Sequence, residues 1–219
     1  MSLLTRFVFL VIILPVMLVI TGCATSPTPY DYDALIAAKP RSIVVIPPKN
    51  NAIEVNAPYV YLSTISRPLG EKGYYVYPVA VIDIFMKENG LPTPEEMNLV
   101  SLDKIYQHIG ADAVLYTEII DWGQKYTILS SNTVVHVSMR LVDARTGVKL
   151  WSARASAVRS SDSGNSGLVG ALVTAVASQI VNSISDQTPE VARMANNQAI
   201  YDSRSGLLNG PYAKPDEQQ

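Results

Sequence analysis

A single cysteine, Cys23, stands among 219 residues. One thiol closes no internal disulfide and builds no cysteine metal site, so the fold has to stand on an ordinary core. Histidine is nearly as scarce: His108 and His136 are the only two, and they form no His-Glu-x-x-His zinc motif. A Gly-x-Ser-x-Gly nucleophile elbow is missing as well. Basic excess is absent, with 17 Lys and Arg against 19 Asp and Glu, which excludes the electrostatic footprint of nucleic-acid binding. The amino-terminal apolar run, Phe7 to Ile20, spans 14 residues and contains Pro15. A membrane-spanning helix needs about 20 apolar residues, so this run has the length of a signal-peptide core, with Arg6 as its positive flank.

The residues at the end of this run give the one cysteine its meaning. Ile20-Thr21-Gly22-Cys23 resembles a bacterial lipobox. Small residues before the cut give a signal peptidase access to the backbone, and a thiol is needed to carry a thioether-linked glyceride. Residues 1–22 read as a lipoprotein signal peptide and Cys23 as the lipidation site. One acyl chain anchors only marginally, whereas two or more hold a protein on a membrane. Ala24 stands where Asp would be the inner-membrane retention signal, so the expected location is the outer membrane, facing the periplasm. Loss of Arg6 with the leader leaves 16 basic against 19 acidic residues. Residues 23–40, with Pro27, Pro29 and Pro40, read as a lipidated tether. At full stretch, 17 such residues would span roughly 55–60 Å.

Residues 41–187 read as a mixed α/β domain and 188–219 as a carboxyl-terminal helix and irregular tail. Ser42 to Ile46 is a short apolar run of β-branched character, ended by Pro47-Pro48, as expected of a strand buried on both faces. Tyr74 to Tyr77 is a second short strand. Helices are expected over Tyr59–Gly70, Val79–Glu88 and Glu95–Ile109, the last stopped by Gly110. Three strand-like runs come next, Ala113–Ile120, Thr133–Val142 and Lys149–Val158, with Gly147 in the turn between the last two. They predict an antiparallel meander with one solvated face. Asp121-Trp122-Gly123 is expected to bend or bulge its first strand. Leu168 to Ile184 has a helical apolar stripe, and Thr188-Pro189-Glu190 opens a short helix to about Tyr201. The simplest architecture is one mixed sheet with helices packed mainly on one face.

Candidate chemistry is thin. His136 falls on the wet face of a strand and His108 near a helix end. Glu118 and Asp121 fall on opposite faces of a regular strand, which disfavours a paired acid/base site. Gly164 to Gly170 precedes a helix but lacks the ending of a phosphate-binding loop. No cofactor, metal or catalytic residue is expected. Tyrosine, by contrast, is abundant, at 12 residues. It supplies area together with a hydrogen bond and is enriched at interfaces. Tyr59, Tyr61, Tyr75, Tyr77 and, in the tail, Tyr212 are therefore the candidate partner surface. Tyr30 and Tyr32 fall in the tether, as plain linker or at the lipid interface.

Several short motifs occur in a telling order: the lipobox, Ile43-Val44-Val45-Ile46-Pro47-Pro48, Gly110-Ala111-Asp112-Ala113-Val114-Leu115, Ile119-Ile120-Asp121-Trp122, Arg140 to Gly147, Leu150-Trp151 and Leu207 to Tyr212. Together they resemble a family of Gram-negative outer-membrane lipoproteins of unknown function, associated with curli-secretion-channel-like lipoproteins. The resemblance implies a fold like the TolB amino-terminal domain and the periplasmic domain of the curli channel. It also implies a role in an envelope complex, possible partners including a curli-channel-like lipoprotein. The chain lacks the long amphipathic hairpin of a pore former. The expected function is a non-catalytic accessory or adaptor of a secretion or assembly complex. The alternatives are an activator of a peptidoglycan synthase, and a small-ligand-binding protein or hydrolase.

Overall fold

The computed structural model describes residues 29–126, 131–160 and 186–214. The leader, Cys23, the Gly164–Gly170 loop and the expected helix over Leu168–Ile184 lie outside these residues.

In chain order the elements are α1 (Asp33–Ala38), β1 (Ser42–Val45), β2 (Lys49–Asn50), α2 (Ala57–Glu71), β3 (Tyr75–Val76), α3 (Val79–Glu88), α4 (Pro94–Met97), α5 (Leu102–Ile109), β4 (Ala113–Tyr126), β5 (Ser131–Asp143), β6 (Lys149–Ser160) and α6 (Thr188–Ile200). The strands form one sheet in the order β3-β1-β4-β5-β6, with β2 paired to β4. β3, β1 and β4 run parallel; β4, β5 and β6 form the antiparallel meander. This is the mixed α/β sheet expected from the sequence.

The apolar patterns explain how the layers divide. Every residue from Ile43 to Ile46 is buried. Ile43 and Val45 face a core with α2 and α6, while Val44 and Ile46 face a second core built on Ile82, Met86, Met97 and Ile105. β1 is thus covered on both faces, as its continuous apolar run requires. The meander alternates: Leu115, Ile119, Trp122, Val135, Val137, Leu141, Trp151 and Ala155 join α2 and α6 in the larger core, while Val114 and Tyr116 at the start of β4 face the smaller one.

Asp112 shows what the Gly-Ala-Asp motif does. Gly110 ends α5 in the left-handed region (φ 78°). Two residues later the Asp112 carboxylate accepts from the amides of Arg41 (2.9 Å) and Ser42 (3.2 Å), at the start of β1. Arg41 and Arg145 each lie 3.7 Å from it. One side chain therefore ties together β1, β4 and the β5–β6 turn. That turn is closed by Asp143 Oδ1, which accepts from the amides of Arg145 and Thr146. Gly147 completes it at φ 73°.

Four expectations change. The tether does not run to residue 40: α1 is helical and Leu35 is buried in the core. The Tyr30 hydroxyl accepts from the Ser152 amide at 2.8 Å, and the Tyr32 hydroxyl donates to the Gly206 carbonyl at 2.6 Å. Both rings rest on the protein as a tilted pair 4.7 Å apart. The expected helix over Glu95–Ile109 is two helices. Asn98 Nδ2 donates to the Pro94 carbonyl (2.7 Å) and to the Pro47 carbonyl (2.8 Å), which ties the end of α4 to the segment after β1, and Leu99 is exposed. β2 resumes pairing beyond Pro47-Pro48, with Lys49 and Asn50 beside Glu118 and Ile119.

The fourth concerns the carboxyl terminus. Val191, Ala192, Ala195 and Ile200 of α6 belong to the main core, as does Leu207. Among its described residues the tail has no helix or strand, yet it is pinned as a clasp. Gly210 N donates to the Lys72 carbonyl (2.7 Å) and Tyr212 N to the Gly73 carbonyl (3.0 Å). The Tyr74 hydroxyl donates to the Leu208 carbonyl (2.9 Å) and Trp151 Nε1 to the Ser205 carbonyl (2.8 Å).

Burial of phenols makes the fold sensitive to alkali. Desolvation pushes the hydroxyls of Tyr61 and Tyr74 well above the ordinary tyrosine range. Both stay neutral in the native state while their unfolded counterparts ionise above about pH 10. Stability is therefore intact below that pH and is lost as pH rises further. Each group contributes a slope of about 1.4 kcal/mol per pH unit. Denaturant titrations between pH 9 and 11.5 are expected to show this fall, and Tyr61→Phe is expected to remove one group's share of the slope.

Candidate partner-binding surface

The five candidate tyrosines do not share one surface. Tyr61 is wholly buried between α2 and the sheet, so it is a core residue and leaves the set. Its position on α2 explains why: Ala57, Tyr61, Thr64, Ile65, Pro68 and Leu69 form the buried stripe at spacings of three and four. Tyr212 is exposed but sits on the clasp, against Gly73. Tyr59 and Tyr77 reach α3 or the core beneath it, and Tyr75 adjoins Tyr77. Tyr75 and Tyr77 are in edge-to-face contact, 5.2 Å between centroids, on the short edge strand β3. Tyr77 packs on the smaller core beneath α3. Tyr59, from α2, reaches α3 through Lys87, whose ammonium lies 4.8 Å from its ring and 3.2 Å from its hydroxyl. Asp83 holds the other side of Lys87 at 2.7 Å, and these bonds raise the Lys87 pKa, Asp83 first.

α3 itself is the residue set that sequence reasoning missed. Ile82 and Met86 point into the smaller core. Val81, Ile84 and Phe85 repeat at i, i+3 and i+4 on the outer side and are 59%, 54% and 38% exposed. A surface helix normally turns polar residues outward; here Ile82 and Met86 face the core, Asp83 pairs with Lys87, which meets Tyr59, and the remaining side is apolar and exposed. The signal was present in Val79 to Phe85, where Asp83 is the single polar residue.

Beside this stripe runs an open groove of about 740 Å3 between α3 and α5. Phe85, Met86 and Asn89 form one wall, with Lys104, Ile105, His108 and Ile109 opposite. Leu91, Glu96, Leu99 and Val100 close the end nearest α4. Leu99 is 79% exposed at its rim.

The candidate acid/base groups lie elsewhere. A register shift between Ile119 and Asp121 marks the expected bulge. It also corrects the facing of the two carboxylates, since Glu118 pairs opposite Ser138 and Asp121 opposite His136. Both therefore share one face of the meander with His136. Each is engaged. Glu118 accepts from Asn51 Nδ2 at 2.7 Å. Asp121 pairs with Lys125 at 2.8 Å, whose hydrogen bond, against some desolvation, holds the carboxyl below its usual range. His108 lines the α3–α5 groove instead. Among the described residues, no group of three His, Cys, Asp or Glu is placed to hold a metal ion. No described helix is long and apolar enough to cross a membrane.

The family model described as "Putative lipoprotein GNA1162-like" matches residues 30–212. A lipoprotein of Neisseria meningitidis serogroup B, named "Putative lipoprotein NMB1124/NMB1162", is 41% identical over 205 residues, 92% of this chain and 95% of the relative. The crystal structure of lipoprotein GNA1162 from Neisseria meningitidis has 44% identity and a TM-score of 0.54, over 65% of this chain and 99% of that one. A PelC dodecamer structure from Paraburkholderia phytofirmans is 16% identical, with a TM-score of 0.41 over 74% of this chain and 93% of that chain. The match begins at Tyr30, where the chain docks on its own body, and ends at Tyr212 in the clasp; the chain belongs to the GNA1162-like lipoprotein family.

Proposed function

We propose that the protein is a non-catalytic accessory of an outer-membrane secretion or assembly complex, tethered through lipid on Cys23 and facing the periplasm. It works by holding another envelope protein against the β3–α3 flank. The observation that carries this reading is the outer stripe of α3: Val81, Ile84 and Phe85 are exposed yet apolar, where water alone would favour charge. A contiguous exposed apolar patch is the usual mark of a binding surface. The sequence resemblance supplies a concrete partner class, a curli-channel-like lipoprotein.

The docking of Tyr30 bears on the alternative, an activator of a peptidoglycan synthase. Seven peptide units separate Cys23 from Tyr30, a reach of roughly 25 Å when fully extended. That is under half the reach of a tether running to residue 40, and short for a protein that must pass through the wall from the outer membrane. The hydrolase alternative finds little support in Glu118 and Asp121, which are engaged by Asn51 and Lys125 respectively.

Metabolic labelling tests the anchor. Cells fed an alkyne palmitate analogue are expected to label the wild-type chain and not Cys23→Ala, which should leave the membrane fraction. Label retained on Cys23→Ala would overturn the anchor assignment. Site-specific photo-crosslinkers at Tyr75 and Ile84 test the surface. An adduct with one envelope protein, absent with the crosslinker at Val148, supports the reading; equal adducts at all three positions count against it.

A further inference from the structure

We infer that the α3–α5 groove receives an amphipathic helix from the partner, with an apolar stripe flanked by lysine or arginine. The inference rests on the proposed binding role and specifies the chemistry of what binds.

The shape argues for a helix. The groove's two long walls are themselves helices, and their side chains stand in i, i+4 rows: Phe85 and Asn89 on one, Lys104 with His108 and Ile105 with Ile109 on the other. Ridges of that spacing are what a third helix packs into. A helix in an apolar groove is read through anchors at i, i+3 or i+4 and i+7. α3, at ten residues, is about 15 Å long, enough for those three anchors. Met86, Leu91, Val100 and Ile105 give the groove an apolar floor, and Phe85 and Leu99 stand exposed at its rim.

Charge argues for the flanks. The helices enclosing the groove carry exposed carboxylates at Glu88, Glu95, Glu96 and Asp103; Glu96 lines the groove with its carboxylate engaged by the Thr93 amide and hydroxyl, and the other three stand outside the lining. Against them stand Lys104 and the imidazole of His108. Lys87 is committed to Asp83 and Tyr59. An acidic surround selects a basic partner and penalises an acidic one. The same argument sets a second copy of this chain aside: in a two-fold pairing the identical patch meets itself, bringing like charges together. It sets an anionic lipid surface aside too.

The experiment uses residues 23–219 with Cys23→Ala, which keeps every residue of the fold and makes the result independent of lipidation. The probes are two fluorescent 18-residue helical peptides with the same leucine stripe, one flanked by lysines and the other by glutamates. Anisotropy is expected to show the lysine peptide binding at least about tenfold tighter, with the difference shrinking in 0.5 M salt as exposed charges are screened. Phe85→Asp and Leu99→Asp, both at exposed positions, are expected to reduce its affinity by about tenfold or more. Val148→Asp, exposed on the β5–β6 turn, should leave binding unchanged. Circular dichroism melts confirm that each variant is folded. The inference is overturned if both peptides bind alike, if neither binds, or if Val148→Asp loses as much as Leu99→Asp. It is equally overturned if sedimentation shows the groove pairing two copies, or if Leu99 and Phe85 govern binding to anionic phosphatidylglycerol vesicles instead. Failure here, with the Tyr75 and Ile84 crosslinks still specific, would remove the helix and leave the binding protein.

Discussion

Alanine at Gly73 is expected to cost about 3 kcal/mol and to release the carboxyl-terminal clasp. Two effects act at one position. Gly73 lies at φ 83°, a conformation that side chains rarely adopt. A Cβ there would also stand 2.1 Å from the backbone nitrogen of Ala213 and 2.5 Å from its Cα. No rotamer relieves a clash with backbone, so the clasp has to move. Its bonds from Gly210 to Lys72 and from Tyr212 to Gly73 would go with it. Gly70→Ala, one turn earlier, is the matched control. Its Cβ would meet nothing within 4 Å, and alanine inside a helix is favoured over glycine by roughly 0.5–1 kcal/mol. Thermal melts should move in opposite directions for the two variants. Limited proteolysis should cut near residue 210 only in Gly73→Ala; an intact tail in that variant would show that the clasp does not depend on this close approach.

Trp151→Ala is expected to be the most damaging single truncation, at about 3–5 kcal/mol. Trp151 is fully buried, on the packed face of β6. Its indole also donates to the Ser205 carbonyl, joining the meander to the segment after α6. Trp151→Phe separates the two contributions, since it keeps most of the apolar bulk and loses the donor. It is expected to cost less than half as much, with the excess over volume loss near 1 kcal/mol. Urea midpoints for the two variants measure this. Equal losses would mean that the hydrogen bond outweighs the ring.

The parts of the fold that were legible in the sequence share a cause. Runs such as Ile43 to Ile46, and alternations such as Val135 to Leu141, carry their burial pattern in their own residues. Val79–Glu88 was bounded correctly for the same reason, because its apolar content marks a helix at once. Its outward stripe was legible too, but only to a reading that asked which apolar residues were left over after the core was filled. What escaped depends on distant partners. Tyr30 and Tyr32 read as linker until Ser152 and Gly206 are placed beside them. Tyr61 reads like its neighbours Tyr59 and Tyr75 until the phase of α2 turns it inward. Glu118 and Asp121 change sides because of one extra residue in a strand, and a single-residue slip reverses every facing beyond it. The tail looked structureless because its order comes from backbone groups, which composition does not report.

The docking of the amino-terminal segment has a mechanical side. Tension applied at the amino end reaches the body first through the hydroxyls of Tyr30 and Tyr32, at the rim of β6 and on the clasp. These few bonds, and the one turn and a half of α1 behind them, can yield like a short spring. The load then meets β1, which lies between β3 and β4 and is bonded to both. Tearing it free would require shearing two ladders at once. A chain built this way gives a little at its mooring before any strain reaches the flank where α3 stands.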